Sequence, residues 1–144
     1  MSMEKELLNT FDKELLLKDL CARLPYGVKV NGVFLTYDKD KDKILYKECV
    51  KELNYSHLSR YWTLKPYLFP LSSMTDKNLI EFLQIKGMNL NSDELKTFRR
   101  GTTLIVSTLP SYSRHIDWLN KNHFDYRNLI DKNLAIDCTN LNIY

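Results

Sequence analysis

The sequence predicts an α+β fold in a single compact domain. Three observations predict it. Apolar residues recur at helical spacing near both ends, two β-branched and aromatic runs lie between residues 28 and 53, and helix and strand patterns do not alternate strictly. A chain of 144 residues has the length of one domain. We therefore expect 1–144 to form one domain with an N-terminal helix, a small β-hairpin or sheet, and C-terminal helices.

The apolar residues of the predicted N-terminal helix fall on two different faces. One face is predicted to carry Leu16, Leu17, Leu20, Cys21 and Leu24, and another to carry Leu7, Leu8, Phe11 and Leu15. A break near Asn9–Asp12, capped by Thr10 or Asp12, separates the two faces, and Pro25 ends the helix. We expect residues 1–11 to form a loose arm, through which the chain would form a homo-oligomer.

Two strands are predicted next, Val28–Tyr37 and Ile44–Leu53, paired as a hairpin around the polar run at 38–43. Asn31-Gly32 predicts a tight turn or a bulge within the first strand. The alternating aspartates of the polar run do not complete a calcium loop. Such a loop needs a glycine and a glutamate at the positions that are occupied here by Lys43 and Cys49.

Residues 54–74 are predicted to be irregular, because Pro66 and Pro70 disfavour both a helix and a central strand. Tyr67 and Phe69 carry too much apolar area to lie in water, so we expect them to be packed and this segment to be ordered.

The rest of the chain is predicted as short elements. These are a helix capped by Thr75, with Leu79, Ile80, Phe82 and Leu83 on its apolar side and Gly87 after it, a short helix or turn over 92–100, and a strand over Thr102–Leu109. A helix capped by Ser111 or Ser113 follows, then a short helix from Asp125 through Asp131 with Leu129 and Ile130 inward, and a strand over 134–138.

Three stretches, residues 17–30, 65–75 (KPYLFPLSSMT) and 117–136 (beginning DWLNKNHFDYRNLI), together resemble a family of small uncharacterised proteins found in phages and integrated elements of anaerobic gut bacteria. The resemblance implies a phage-type accessory protein in the cytoplasm of a bacterial host. It implies no activity and no site residue.

Composition excludes several classes of function. A net charge of +3 and a pI of 8.7 are modest for a nucleic-acid-binding protein.

Three cysteines without paired spacing predict a reducing compartment. The scattered glycines exclude a glycine-rich phosphate loop. The histidines and cysteines match no metal-binding spacing, and no catalytic motif is present. We therefore expect a non-enzymatic protein without a cofactor or metal, and without a membrane span.

One polar cluster stands out in the sequence, His123, Asp125, Tyr126 and Arg127. One interpretation is a recognition or acid–base site. The other, which we favour, is a helix junction in which Asp125 caps the following helix, Phe124 and Tyr126 pack and Arg127 pairs with an acid.

A second candidate set is basic and aromatic: Lys96, Arg99, Arg100 and Arg114, with Trp62 and Tyr112. Such residues suit an acidic protein surface or single-stranded nucleic acid. We favour a protein partner, so the sequence predicts an interaction protein, and inhibition of a host defence or housekeeping protein is one form that this would take. The alternatives are a nucleic-acid-binding accessory domain and a protein that binds or sequesters a small nucleotide ligand.

Overall fold

The computed structural model describes residues 8–85 and 113–144. They form α1 (Thr10–Arg23), β1 (Lys29–Asp38), β2 (Lys43–Glu52), β3 (Lys65–Pro70), α2 (Asp76–Gln84), α3 (Ser113–Lys121), β4 (Phe124–Asp125) and β5 (Ile136–Asp137). A 3₁₀ helix covers Tyr55–Thr63, and shorter ones cover Leu24–Tyr26 and Leu71–Ser73. The predicted α+β class, the hairpin and the N-terminal helix are confirmed. The predicted elements at 92–100 and 102–109 lie outside the described residues.

The sheet is mixed, with the strand order β2-β1-β3-β4, and β5 also pairs with β3. β1 and β2 are antiparallel along their whole length, whereas β1 meets β3 only at Val30–Pro66 and Asn31–Lys65. One apolar cluster lies between α1, the sheet and the 3₁₀ helix, and a second lies among α2, α3 and β4. Because β3 holds β1 by one end only, most of the β1–β2 hairpin extends beyond the rest of the sheet.

Within the segment 54–74 that was predicted to be irregular, residues 65–70 form β3 at the centre of the sheet, so the prediction is wrong there. β3 contacts its three neighbours in turn, over two residue pairs each. Among the described residues, no long ladder therefore depends on the N–H that Pro66 or Pro70 lacks. The Phe69 N–H between them donates to the His123 carbonyl at 2.8 Å. Tyr67 is buried and Phe69 half-buried, so the expectation that this segment is ordered and packed is confirmed.

Asn31-Gly32 forms neither a turn nor a bulge, because β1 pairs with β2 one residue to one throughout. Packing accounts for the glycine. A β-carbon at residue 32 would lie 2.6 Å from Leu64 Cδ2 and 3.2 Å from Phe34 Cε2. Leu64 is almost fully buried, at 1% exposure, and has little room to move. Residue 32 is a glycine because the Leu64 side chain comes so close to strand β1.

Substitution Gly32→Ala should therefore destabilise the protein by about 1–3 kcal/mol, the usual cost of overpacking, as measured by urea denaturation. Val33→Ala, at the exposed neighbouring position, is the matched control and should change stability by less than about 0.5 kcal/mol. Combining Gly32→Ala with Leu64→Ala should cost less than the sum of the two single changes. An alanine variant as stable as the natural protein would show that the close approach is not restrictive.

The N-terminal helix differs from the prediction in detail. It begins at Thr10 and is capped by Asn9, whose Oδ1 accepts the Asp12 N–H at 2.7 Å, rather than by Thr10 or Asp12. Phe11 is exposed and Leu8 packs against the core. Cys21 was predicted on the apolar face but is exposed. Residues 1–7 of the predicted arm lie outside the described residues, so its self-association stays a prediction.

Helix α2 begins as predicted. Thr75 and Asn78 form a reciprocal capping box, and the buried residues of the helix are Leu79, Phe82 and Leu83. Ile80 was predicted on the same side but is exposed. Gly87, predicted to end this helix, lies outside the described residues.

The second predicted C-terminal helix is absent. Residues 126–134 form turns, in which Asn128 and Asn133 adopt left-handed conformations with φ of 60° and 59°. Both oxygens of the Asp125 carboxylate accept backbone N–H groups, from Leu129 at 3.0 Å and Ile130 at 2.9 Å. The carboxylate thus organises a turn instead of capping a helix. α3 begins at Ser113, and Ser111 is outside the described residues.

Candidate functional site

The polar cluster predicted from the sequence is divided between two internal contacts. Asp125 is buried and binds the turn after it. Arg127 Nη1 donates to Asp19 Oδ1 at 2.8 Å, and the guanidinium lies 4.6 Å from the centre of the Tyr126 ring. The structural interpretation predicted the ion pair of Arg127 and the packing of Tyr126, but the helix cap that it assigned to Asp125 is wrong.

Asp19 joins this cluster to helix α1. Its other oxygen accepts Arg23 Nε at 2.8 Å, and both Asp19 and Arg23 are fully buried. Arg23 Nη2 donates to the Phe124 carbonyl at 2.6 Å, while its Nη1 has no hydrogen-bond partner among the described residues. One carboxylate thus holds two guanidiniums, and it ties α1 to the C-terminal turns.

His123 faces the C-terminus instead. Its ring stacks on Tyr144, with the ring centres 3.7 Å apart and the planes 10° from parallel. The Tyr144 hydroxyl donates to the Tyr67 carbonyl at 2.8 Å and accepts the Lys29 N–H at 2.8 Å. Burial, followed by the positive charge of Arg23 and Lys29, lowers the pKa of His123 to about 4. A neutral ring that packs on a tyrosine is a structural feature of this junction.

The most distinctive exposed surface lies on the hairpin. Side chains directly opposite each other in an antiparallel pair point to the same face, and β1 pairs Leu35 with Tyr46 and Tyr37 with Ile44. We call this side the apolar face. Its large side chains are 42–70% exposed: Val33, Leu35, Tyr37, Ile44, Tyr46 and Val50. Glu48, opposite Val33, stands on the same face between Tyr46 and Val50. An exposed group of large apolar side chains of this kind is typical of an interaction site.

The opposite side of the hairpin carries cations around Phe34. Lys51 Nζ lies 5.1 Å and the Arg60 guanidinium 5.5 Å from the centre of the Phe34 ring. Lys47 is directly opposite Phe34 in the register, and His57 packs against the same ring at 4.9 Å. Burial, and then the charges of Lys51 and Arg60, lower the pKa of His57. We call this side the basic face.

The apolar face ends in a recess near the base of the hairpin. A cavity of about 520 Å³ is bounded there by Val33 and Glu48 of the hairpin and by Lys65, Lys132 and Leu8. The Asn31 side chain donates to Glu48 Oε1 at 2.9 Å, which holds this carboxylate across the two strands. The recess gives the exposed strip a concave end in which a partner's side chain can be held.

Two of the predicted partner-binding residues are on the described surface. Trp62 is exposed, with Lys13 Nζ 5.8 Å from its ring centre, and Arg114 is exposed on α3. The structure does not describe the remaining four, Lys96, Arg99, Arg100 and Tyr112. The basic stretch therefore stays a prediction.

Sequence reasoning did not identify the hairpin surface. The signal was present in the strands, since Val33, Leu35 and Tyr37 alternate in β1 and Ile44 and Tyr46 in β2. Because Val30 and Phe34 make the other side of β1 apolar as well, alternation alone did not show which side the core covers.

No protein-family model, curated protein or solved structure matches this chain. Within residues 8–85 and 113–144, no helix is long and apolar enough to cross a membrane. Over the same two ranges, no group of three or more His, Cys, Asp and Glu side chains is arranged to hold a metal ion.

Proposed function

We propose that this protein is a non-enzymatic interaction protein that binds a protein partner through the apolar face of its hairpin. The observation that carries the proposal is the exposure of Val33, Leu35, Tyr37, Ile44, Tyr46 and Val50 on one side of two paired strands. Tyr46 and Ile44 are 70% and 65% exposed, and burying each large side chain contributes about 1.5–3 kcal/mol. The resemblance to phage proteins favours a partner in the cytoplasm of a bacterial host, and inhibition of a host protein is the form of activity that we propose.

The shape of the hairpin supports a protein partner over a small ligand. The apolar side chains form a strip along two extended strands, and the recess of about 520 Å³ lies at one end of it. Protein interfaces combine an apolar strip of this kind with a polar rim and a pocket for an anchoring side chain. Glu48 and Lys65 at the recess supply polar groups for such a rim.

A photo-crosslinking amino acid at position 46 tests the proposal. In an extract of the host cells it should form a crosslink to one defined protein, whereas the same crosslinker at Lys77, exposed on α2, should not. Leu35→Asp with Ile44→Asp should abolish capture of that protein because it puts charge on the buried centre of the interface. The folded state of the variant is checked by its unfolding transition. Capture that is the same from positions 46 and 77, or that survives both aspartates, would contradict the proposal.

A second function, binding of single-stranded nucleic acid, is favoured by the basic face. Lys51 and Arg60 lie around Phe34, and the 3₁₀ helix that carries Arg60 also carries the exposed aromatic rings of Tyr55 and Trp62. Cations and exposed rings together can neutralise phosphates and stack bases. Binding of labelled oligothymidine that weakens in salt and is lost in Lys51→Ala with Arg60→Ala would support this function. The apolar face has no role in it, which is why we place protein binding first.

A further inference from the structure

β2 (Lys43–Glu52) is an edge strand. It is at the end of the strand order and, in the part of the chain that the structure describes, pairs with β1 alone. Eight of its residues are exposed, and only Leu45 and Cys49 are half-buried. An edge strand presents unpaired backbone N–H and C=O groups, to which an extended polypeptide can add as a further strand.

The side chains along this edge differ between the two faces of the hairpin. Lys47 and Lys51 point to the basic face, where Arg60 adds a third charge, and none of the three forms an ion pair with a described residue. Ile44, Tyr46 and Val50 point to the apolar face, with Glu48 between Tyr46 and Val50. A strand added to β2 would therefore meet cations with one set of alternate side chains and chiefly apolar groups with the other.

A second copy of this chain does not fit the edge. When two copies of β2 pair antiparallel, the register centred on Lys47 places Lys47 against Lys47 and Lys43 against Lys51. The register centred on Glu48 places that carboxylate against its copy. Like charges directly opposite each other destabilise a strand pair. Self-pairing is thus disfavoured in the two registers that overlap most fully, while an acidic strand is attracted.

We propose that β2 binds an extended segment of the partner protein by strand addition, and that the segment carries acidic side chains alternating with apolar ones. Its acids meet Lys47, Lys51 and Arg60, and its apolar side chains extend the apolar face. Backbone hydrogen bonds to the edge provide affinity, and the alternation provides specificity. This inference rests on the proposed protein-binding function and adds the chemistry of the partner segment.

The test uses the full chain and a synthetic peptide as long as β2 in which Glu alternates with Val. By NMR, the peptide should slow hydrogen exchange of alternate amides along β2, and its affinity should fall as salt is added. A peptide of Lys alternating with Val should bind at least about tenfold more weakly. A Glu–Val peptide N-methylated on alternate amides, those that face β2, should not slow this exchange.

Lys47→Glu with Lys51→Glu should weaken the Glu–Val peptide by about tenfold or more and strengthen the Lys–Val peptide. Lys18→Glu with Lys77→Glu, at exposed positions on the helices, makes the same change in net charge and should leave binding unaltered. If the double reversal does not fold, Lys47→Gln replaces it, with a smaller loss expected.

Three results would overturn the inference. They are equal affinity for the two peptides, no change in hydrogen exchange along β2, and displacement of the Glu–Val peptide by oligothymidine that itself binds to Lys47 and Lys51. If the crosslink at position 46 still captures a protein in any of these cases, the proposed function stands and only strand addition fails. If the crosslink also fails, both are wrong.

Discussion

Asp19→Ala should cost about 3–5 kcal/mol of unfolding free energy, because it leaves the buried guanidinium of Arg23 without a counter-charge. Asp19 accepts Arg23 Nε and Arg127 Nη1, each at 2.8 Å, and neither Asp19 nor Arg23 is exposed to solvent. Against a typical domain stability of about 5–15 kcal/mol, the loss is large. Urea denaturation at pH 7 measures it, as a shift of the midpoint at constant slope.

The neighbouring Lys18→Ala is the matched control, since Lys18 is exposed on the same helix and should change stability by less than about 0.5 kcal/mol. A second variant separates the cost of the unpaired charge from the loss of packing. Asp19→Leu with Arg23→Met replaces the pair by apolar groups of similar size and should lose less than Asp19→Ala. An Asp19→Ala loss below about 1 kcal/mol would show that water or rearrangement compensates Arg23.

The features that the sequence predicted correctly depend on neighbours along the chain. The hairpin, the Thr75 cap of α2 and the left-handed Asn133 each follow from a few adjacent residues. The Asp19–Arg127 contact joins residues 108 positions apart. Periodicity predicted the buried side of α1 from Leu16 and Leu20, but it did not show that Asp19 is buried there and pairs with Arg127 from the other end of the chain as well as with Arg23.

β3 shows the same limit in another form. Proline disfavours a central strand when a neighbouring strand forms hydrogen bonds along its whole length. Here three described strands share β3, and each pairs with it over only two residue pairs. The exposed apolar face of the hairpin was missed for a related reason. β1 is apolar on both sides, and the 3₁₀ helix at Tyr55–Thr63, which places His57 and Arg60 against Phe34, covers that ring while Leu35 and Tyr37 stay exposed.

The protein should also lose stability as the pH falls from about 6.5 to 4, in part because of His123. Burial, followed by the charges of Arg23 and Lys29, lowers the pKa of this ring from 6.5 to about 4. The unfolded chain therefore takes up the proton more readily than the folded protein. The contribution of the neutral ring to stability is fully present above pH 6.5 and is lost progressively as the pH falls. At pH 4 the loss amounts to about 2–3 kcal/mol.

Replacing the ring isolates this contribution from the other titrating groups. His123→Asn suits the left-handed backbone, whose φ is 64°, and does not titrate in this range. The variant is expected to be less stable at pH 7 because it loses the stacking on Tyr144. Between pH 7 and 4 its unfolding free energy should fall less steeply than that of the natural protein, while the effect of His57, whose pKa is also lowered, is common to both. Parallel curves for the two proteins would show that His123 takes up its proton equally well in the folded and unfolded chains.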